Sequence, residues 1–185
     1  MPDILFVCTG NRCRSPIAEV LTWKVLRERR IRGTTDSAGT LDGGAPLPAE
    51  TVRVLSKFGI DGTGRVSRRV TPDMAAHSAL IVGMERAHVR AVALLDHSVW
   101  HRTFTLKEVV RRAFASGPRP FDEPLSAWAE RLGAGREPSD MLGASGEDDI
   151  DDPMGAPFTE HERTASVIDA LVVRLVDLAF PDGGA

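Results

Sequence analysis

The sequence predicts an α/β fold in a single domain, with a parallel β-sheet covered by helices on both faces. Short apolar stretches of strand length alternate with longer stretches of helical periodicity along most of the chain. Its 185 residues fall in the usual range for one compact domain. Its composition, 42% hydrophobic and 26% charged, is that of an ordinary globular protein, which excludes a disordered or fibrous chain.

The predicted elements follow one another in regular order. Strands are predicted at residues 3–7, 34–38, 79–84 and 100–105. Helices are predicted from residue 15 to about residue 30, and at residues 49–58, 72–76, 86–95, 107–115 and 158–180. In the first helix Ser15 is expected as the N-cap and Pro16 as the first helical residue. The last five residues are expected to fray.

A stretch of different composition interrupts this alternation between residues 116 and 146. It contains four prolines and five glycines, and its only helical pattern is a short one at residues 125–132. The sequence therefore predicts a long, partly mobile insertion within the domain.

Charge and cysteine content argue against several classes of protein. A formal net charge of −3 argues against a partner such as bulk nucleic acid, because domains that bind it carry excess basic charge. Two cysteines cannot supply a disulfide scaffold for a chain of this length, which favours the cytoplasm. The first apolar run, residues 4–7, has only the length of a strand, so neither export nor a membrane span is expected.

Residues 8–15 are the segment in which chemistry is expected, because they leave a strand and enter a helix. Such a junction offers backbone N–H groups and the helix dipole to a phosphate. Gly10 permits close backbone approach, and Arg14 offers a fork of donors for two phosphoryl oxygens. Cys8 lies at the carboxyl end of the strand, where ligands bind in open α/β sheets, and the same donors would stabilise its thiolate.

Other interpretations of Cys8 stay open on these residues alone. A lone cysteine in an apolar run is usually a buried strand residue, and a bare C-x5-R spacing does not exclude that. A Cys–His hydrolase or a zinc enzyme has no support, because none of the five histidines lies in the loop or at metal-ligand spacing.

The complete string CTGNRCRSP, residues 8–16, resembles the low-molecular-weight protein tyrosine phosphatase family. The resemblance continues at Ser37-Ala38-Gly39-Thr40, at Phe58-Gly59-Ile60-Asp61 followed by Ser67-Arg68, and at Asp151-Asp152-Pro153. It covers most of the chain outside residues 116–146. It implies a four-stranded parallel sheet with helices on both sides.

Carried over residue by residue, the resemblance implies roles for particular side chains. Cys8 is the expected nucleophile, Arg14 the expected phosphate clamp, and Asp152 the expected general acid. The neighbouring Asp151 is the alternative acid, and a plain solvated acidic run is the alternative for both. The remaining loop residues are expected to bind substrate: Thr9, Gly10, Asn11, Arg12, Cys13 and Ser15.

Two of these loop residues have a more specific expected role. Asn11 is expected to hold the loop's shape by adopting an unusual backbone angle and hydrogen-bonding within it. The Ser15 hydroxyl is expected to stabilise the thiolate as it leaves phosphorus. A turn asparagine and a plain helix cap are the alternatives.

The sequence departs from the family in its aromatic residues. The family usually places aromatic side chains just after the Asp-Pro pair and a few residues after the Ser-Ala motif. This chain has Met154-Gly155 and Leu41-Asp42-Gly43 there, and it contains no tyrosine. The aromatic walls are therefore missing or come from elsewhere in the chain: Trp100, Phe121, Trp128 or Phe158.

The sequence thus predicts a phosphomonoester hydrolase that needs no metal or cofactor and acts through a phosphocysteine intermediate. The resemblance implies phosphotyrosine proteins as the substrate. Phosphoarginine proteins and small phosphorylated metabolites are the alternative substrates. Arsenate reduction with a small thiol is an alternative function, since the chain lacks the further cysteine pair of thioredoxin-coupled enzymes. A noncatalytic phosphate-binding regulator is another. The oligomeric state stays open.

Overall fold

A computed structural model describes residues 3–181 of the chain. Within them, four strands form one parallel sheet in the order β2-β1-β3-β4, which confirms the predicted sheet. The strands are β1 Ile4–Cys8, β2 Thr35–Gly39, β3 Leu80–Gly83 and β4 Thr103–Thr105. The predicted fraying at the C-terminus concerns residues outside the described range, apart from Pro181.

Helices cover both faces of this sheet, as predicted. The α-helices of residues 3–181 are α1 Arg14–Glu28, α2 Ala49–Lys57, α3 Pro72–Ala76, α4 Arg86–Leu95, α5 Leu106–Ser116, α6 Leu125–Leu132 and α7 Phe158–Ala179. Two short 3-10 helices, His97–Arg102 and Pro138–Met141, complete the regular structure of this range. None of the described helices combines the length and apolarity that a membrane crossing requires.

Strand β1 supplies side chains to two hydrophobic cores, one on each face of the sheet. Ile4 and Phe6 lie in the larger core, with apolar residues of α1, α5, α6 and α7. Leu5 and Val7 lie in the smaller core, with residues of α3 and α4. Burial on both faces explains why the apolar run at residues 4–7 is continuous rather than alternating.

Helix α1 begins earlier than predicted, and its N-cap is Cys13 rather than Ser15. Arg14 is the first helical residue and Pro16 the third, a place that tolerates proline because the first helical N–H groups have no partner within the helix. The Ser15 hydroxyl is directed back to the loop, where it donates to the Cys8 sulfur. The helix ends at Glu28, before the predicted end, and Arg30 adopts a positive φ of 58°.

The strand predicted at residues 100–105 is correct only at its end. The 3-10 helix occupies the chain up to Arg102, and the strand begins at Thr103. The Asp96 carboxylate stabilises the 3-10 helix by accepting a hydrogen bond from the Ser98 N–H at 2.9 Å. This local cap outweighs the strand preference of the apolar residues that follow.

The segment at residues 116–146 contributes to the larger core. Trp128 of α6 is fully buried there. Further along, the guanidinium of Arg136 lies 5.4 Å from the ring of Trp100 and 4.5 Å from that of Phe104. The segment is therefore anchored at two points, and the mobility of its remainder stays a prediction.

The strand order creates a crevice at the carboxyl end of β1. The chain passes from β1 to β2 on one side, and β3 lies on the other side. The connections diverge at such a switch point, and ligands of open α/β sheets bind there. The segment around Ile150 also reaches the carboxyl ends of the strands. The Ile150 N–H donates to the carbonyl of Met84, just after β3, at 2.8 Å.

Replacing Trp128 tests whether α6 belongs to the core. Trp128→Ala is expected to lower the free energy of unfolding by about 3–5 kcal/mol, because it removes a fully buried aromatic side chain. Phe121→Ala is the matched control, since Phe121 of the same segment is 83% exposed and its loss is expected to cost less than about 0.5 kcal/mol. Urea unfolding measures both. Equal effects would mean that α6 does not contribute to the core.

Candidate active site

The loop between β1 and α1 packs against the end of β2. The Thr40 N–H donates to the Cys8 carbonyl at 3.0 Å. A Cβ atom on Gly39 would lie 2.8 Å from both the Asn11 nitrogen and the Thr9 carbonyl oxygen, closer than real Cβ contacts allow. Glycine at this position therefore lets the loop lie directly on β2, which is a physical reason for the Ser-Ala-Gly-Thr string.

Asn11 lies at the centre of the loop, in the left-handed region with a φ of 49°. Asparagine tolerates this conformation better than most residues. Its Nδ2 donates to Ser15 Oγ at 3.0 Å and to Ser37 Oγ at 2.8 Å, and its Oδ1 accepts from the Arg68 N–H at 3.0 Å. These bonds satisfy a buried amide and hold the loop in its curl.

Cys8 ends β1 with 3% of its surface exposed. Ser15 Oγ lies 3.0 Å from Cys8 Sγ and 3.2 Å from the Ala38 carbonyl oxygen. The hydroxyl has one proton and can donate it to only one of these two acceptors at a time. A thiolate at Cys8 thus has a hydrogen-bond donor already in position.

A cavity of about 270 Å³ lies at this loop. Its lining residues are Cys8, Thr9, Gly10, Arg12, Cys13, Arg14, Leu41, Asp152 and Met154. Leu41 and Met154 occupy the positions at which the family usually has aromatic residues. The aromatic side chains considered as replacement walls do not line this cavity: Trp100, Phe121, Trp128 and Phe158. The walls are therefore aliphatic.

Arg14 is 1% exposed, and its guanidinium is surrounded by acceptors. Nη1 donates to the Glu85 carboxylate and, at 2.8 Å, to the Ile150 carbonyl. Nη2 donates to Asp152 Oδ2 at 2.6 Å and lies 3.5 Å from Thr9 Oγ1. A buried cation needs such partners, and these partners hold the guanidinium in one orientation.

Of the two neighbouring aspartates, Asp152 contacts Arg14 and lines the cavity. Its side chain is 39% exposed, and its Oδ1 accepts from the Met154 N–H at 3.1 Å. Asp151 is exposed and does not line the cavity. The structure thus brings Asp152 together with Cys8 and Arg14, and leaves Asp151 outside.

Two acidic residues before Asp152, Asp148 and Asp149, anchor its segment. Asp148 is 2% exposed and forms ion pairs with Arg86 and Arg111. Burial opposes its charge, but the hydrogen bonds from Arg111 and Arg86 outweigh burial and lower the pKa of Asp148. Asp149 accepts from the Arg86 N–H at 2.8 Å. The segment that carries Asp152 is therefore tied to α4 and α5.

Sequence reasoning missed Glu85 and His88. Glu85 is the N-cap of α4, and His88, three residues later, completes a capping box with it. Burial lowers the pKa of His88 to about 4, so the ring is neutral at pH 7. His88 Nε2 lies 2.9 Å from Thr9 Oγ1. Their position directly after β3 was the available signal, because β3 neighbours β1 in the sheet and its carboxyl end faces the same crevice.

The neighbouring loop residues Arg12 and Cys13 differ in their exposure to solvent. Arg12 is partly exposed, and its Nε donates to the Pro46 carbonyl at 3.0 Å. Cys13 is buried, with its sulfur 3.7 Å from His161 Nδ1. Burial raises the pKa of the Cys13 thiol to about 11, so Cys13 is neutral at pH 7.

Within residues 3–181, no three His, Cys, Asp or Glu side chains are grouped so that they could hold a metal ion.

Comparison with known proteins places this fold and loop in one family. The family described as "Low molecular weight phosphotyrosine protein phosphatase" matches residues 3–126. Low molecular weight protein-tyrosine-phosphatase Etp of Escherichia coli K12 is 36% identical over 103 residues, which cover 55% of this chain and 66% of that protein. The protein-arginine-phosphatase of Bacillus subtilis is 30% identical over 130 residues, which cover 69% of this chain and 85% of that protein.

A solved structure agrees with these relatives over nearly the whole fold. The low molecular weight protein tyrosine phosphatase from T. tengcongensis superposes with a TM-score of 0.71 at 26% identity, covering 94% of this chain and 97% of the other. This chain belongs to the low molecular weight phosphotyrosine protein phosphatase family. The phosphatase function predicted from the sequence is thereby confirmed at the level of the family. The family match includes the Cys8 loop and ends before Asp152.

Proposed function

We propose that this chain hydrolyses phosphomonoesters in two steps, with Cys8 as the nucleophile and Asp152 as the general acid. The observation that carries the proposal is that Cys8, Arg14 and Asp152 line one cavity of about 270 Å³. Cys8 and Arg14 belong to a loop at a strand-to-helix junction, a site suited to a phosphate dianion. Asp152 reaches them from 138 residues beyond Arg14.

In the first step the Cys8 thiolate attacks phosphorus. An S–P bond forms while the P–O bond to the leaving group breaks, and protonated Asp152 gives its proton to the leaving oxygen. Arg14 and the loop N–H groups bind the equatorial oxygens, over which the negative charge is spread. The products are a phosphocysteine and the free alcohol or phenol.

In the second step water attacks the phosphorus of the phosphocysteine. The Asp152 carboxylate takes a proton from this water, the S–P bond breaks, and inorganic phosphate leaves. The Ser15 hydroxyl, 3.0 Å from Cys8 Sγ, supports the departing thiolate. Arg14 again binds the phosphoryl oxygens, so one fixed group serves both steps.

We propose phosphotyrosine in proteins as the substrate. Leu41 and Met154 form apolar walls on which a phenyl ring can pack. Arg12 at the cavity carries a positive charge, which favours acidic residues near the phosphorylated side chain. Phosphoarginine is the second candidate, since a relative is a protein-arginine-phosphatase. Its cationic guanidinium is repelled by Arg12, which ranks it below phosphotyrosine.

We place this activity in the cytoplasm, because a nucleophilic thiol persists where thiols are kept reduced. Cys8 and Cys13 are both free thiols here. A turnover panel of phosphotyrosine and phosphoarginine peptides, small phosphates and arsenate separates this proposal from arsenate reduction and from a noncatalytic regulator.

The substitution Cys8→Ser tests the proposed nucleophile. Release of phosphate from an aryl phosphate is expected to fall to background, while the fold and part of the affinity for inorganic phosphate remain, because Arg14 and the loop amides are unchanged. Phosphate release assays, circular dichroism and calorimetric titration with phosphate measure the three properties. Turnover at the wild-type rate by the serine variant would falsify the mechanism.

The substitution Asp152→Ala tests the proposed acid. Substrates with poor leaving groups are expected to slow by roughly 10²- to 10⁴-fold, the range for a lost general acid, and substrates with very good leaving groups much less. Asp151→Ala is the matched control and is expected to leave this dependence unchanged. A series of aryl phosphates of graded phenol acidity measures it. If the rate loss increased with poorer leaving groups in the Asp151 variant and not in the Asp152 variant, Asp151 would be the general acid.

Arg12→Thr tests the choice between phosphotyrosine and phosphoarginine. The wild-type protein is expected to prefer phosphotyrosine peptides with acidic flanks, and the variant to narrow the gap by raising phosphoarginine turnover. Arg32→Thr serves as the control, because it removes the same charge from an exposed residue. Arg32 lies just before β2, at the amino ends of the strands, whereas the cavity lies at their carboxyl ends. Ratios of kcat/KM at low and high salt measure the effect. An Arg12 variant with the wild-type ratio would show that Arg12 does not set the choice.

A further inference from the structure

A chain of hydrogen bonds runs from the start of α4 to the wall of the cavity. It begins at the Glu85 backbone N–H, which donates to His88 Nδ1 at 3.0 Å. It continues from His88 Nε2 to Thr9 Oγ1 at 2.9 Å. Thr9 lines the cavity beside Cys8. The hydrogen bond from the Glu85 N–H to His88 determines which atom is the donor in the contact between His88 and Thr9.

The direction follows from the protonation of His88. Its Nδ1 accepts a hydrogen bond from a backbone N–H and therefore carries a lone pair. The ring is neutral at pH 7, so it has one proton, and that proton is on Nε2. The contact with Thr9 is then an Nε2–H that donates to the hydroxyl oxygen. Thr9 cannot donate its own proton to His88.

A second donor reaches the same hydroxyl oxygen. Arg14 Nη2 lies 3.5 Å from Thr9 Oγ1 and donates to it. A hydroxyl oxygen has two lone pairs and one proton, and here both lone pairs face donors. These two contacts are the hydrogen bonds that the Thr9 hydroxyl makes to residues 3–181. Its proton is therefore left for an acceptor within the cavity.

We propose that Thr9 is a phosphoryl-binding residue whose hydroxyl proton is directed into the cavity by His88. The acceptor is the phosphoryl oxygen that binds to Arg14 Nη2, because Thr9 lies next to that nitrogen. His88 is a positioning residue, and the Glu85 backbone N–H sets its tautomer. A phosphoryl oxygen is an acceptor only, so a fixed donor suits it. This inference rests on the proposed phosphatase function and adds a contact to it.

The rival explanation is that His88 only caps α4. Capping requires the acceptor at the position of Nδ1, whereas directing Thr9 requires the donor at the position of Nε2. His88→Asn retains an acceptor near the first position and loses the donor. His88→Gln retains a donor at the second position. The two variants therefore separate the two roles.

The test compares Thr9→Val, Thr9→Ser and the two His88 variants. Thr22→Val is the matched control, because its buried hydroxyl donates to the Ala18 carbonyl within α1, outside the cavity lining. Three quantities are measured: kcat/KM for an aryl phosphate, the affinity for inorganic phosphate by calorimetry, and stability in urea. The phosphate titration needs no turnover, so it reports on Thr9 even if the proposed mechanism fails.

Thr9→Val is expected to weaken phosphate binding and to lower kcat/KM by about 10- to 100-fold, the range for a hydrogen bond to a charged group. Thr9→Ser is expected to restore most of both. His88→Asn is expected to lower both quantities by several-fold without a matching loss of stability, and His88→Gln to recover part of the loss. The double variant Thr9→Val with His88→Asn is expected to equal Thr9→Val alone, because His88 acts through Thr9.

Three results would overturn the inference. They are wild-type phosphate affinity in Thr9→Val, independent losses that multiply in the double variant, and His88 effects that follow stability alone. A wild-type protein that turns over no phosphate ester would instead refute the proposed function. Wild-type turnover together with an unaffected Thr9→Val refutes only the role of Thr9.

Discussion

Burial of the Arg14 guanidinium constrains the rest of the site. A cation with 1% exposure loses nearly all of its hydration, and only close acceptors can offset that loss. Arg14 finds them in the Glu85 carboxylate, the Ile150 carbonyl and the Asp152 carboxylate. These acceptors come from the end of β3 and from the segment before α7. The charge of Arg14 thus joins three distant parts of the chain.

The same constraint extends outward from the site. The segment that carries Ile150 and Asp152 is itself anchored, because Asp148 is buried between two arginines of α4 and α5. On the other side, Glu85 is the N-cap residue of α4, so the residue that begins this helix also supplies a carboxylate to the guanidinium. The acceptor groups around Arg14 are therefore themselves held by other elements of the fold. The Asp152 side chain, at 39% exposure, contacts Arg14 and is also accessible to solvent.

The position of Asp152 on Arg14 has a consequence for substrate binding. Its Oδ2 lies 2.6 Å from Nη2, the nitrogen proposed to bind a phosphoryl oxygen. Two anionic oxygens compete for that nitrogen, and the doubly charged phosphoryl group has the stronger attraction. In the proposed mechanism, a bound phosphoryl group therefore displaces the Asp152 carboxylate from this nitrogen.

Features that depend on neighbours along the chain follow from the sequence. The spacing of Cys8 and Arg14, the turn chemistry of Gly10 and Asn11, and the alternation of strands and helices are local, so the loop and the fold class could be predicted. Asp152 was predicted through resemblance, and tertiary structure decided that it, and not Asp151, reaches Arg14. Tertiary structure also decided the partners that sequence reasoning missed, Glu85 and His88. They lie more than 70 residues from the loop, and only the pairing of β3 with β1 brings them to it.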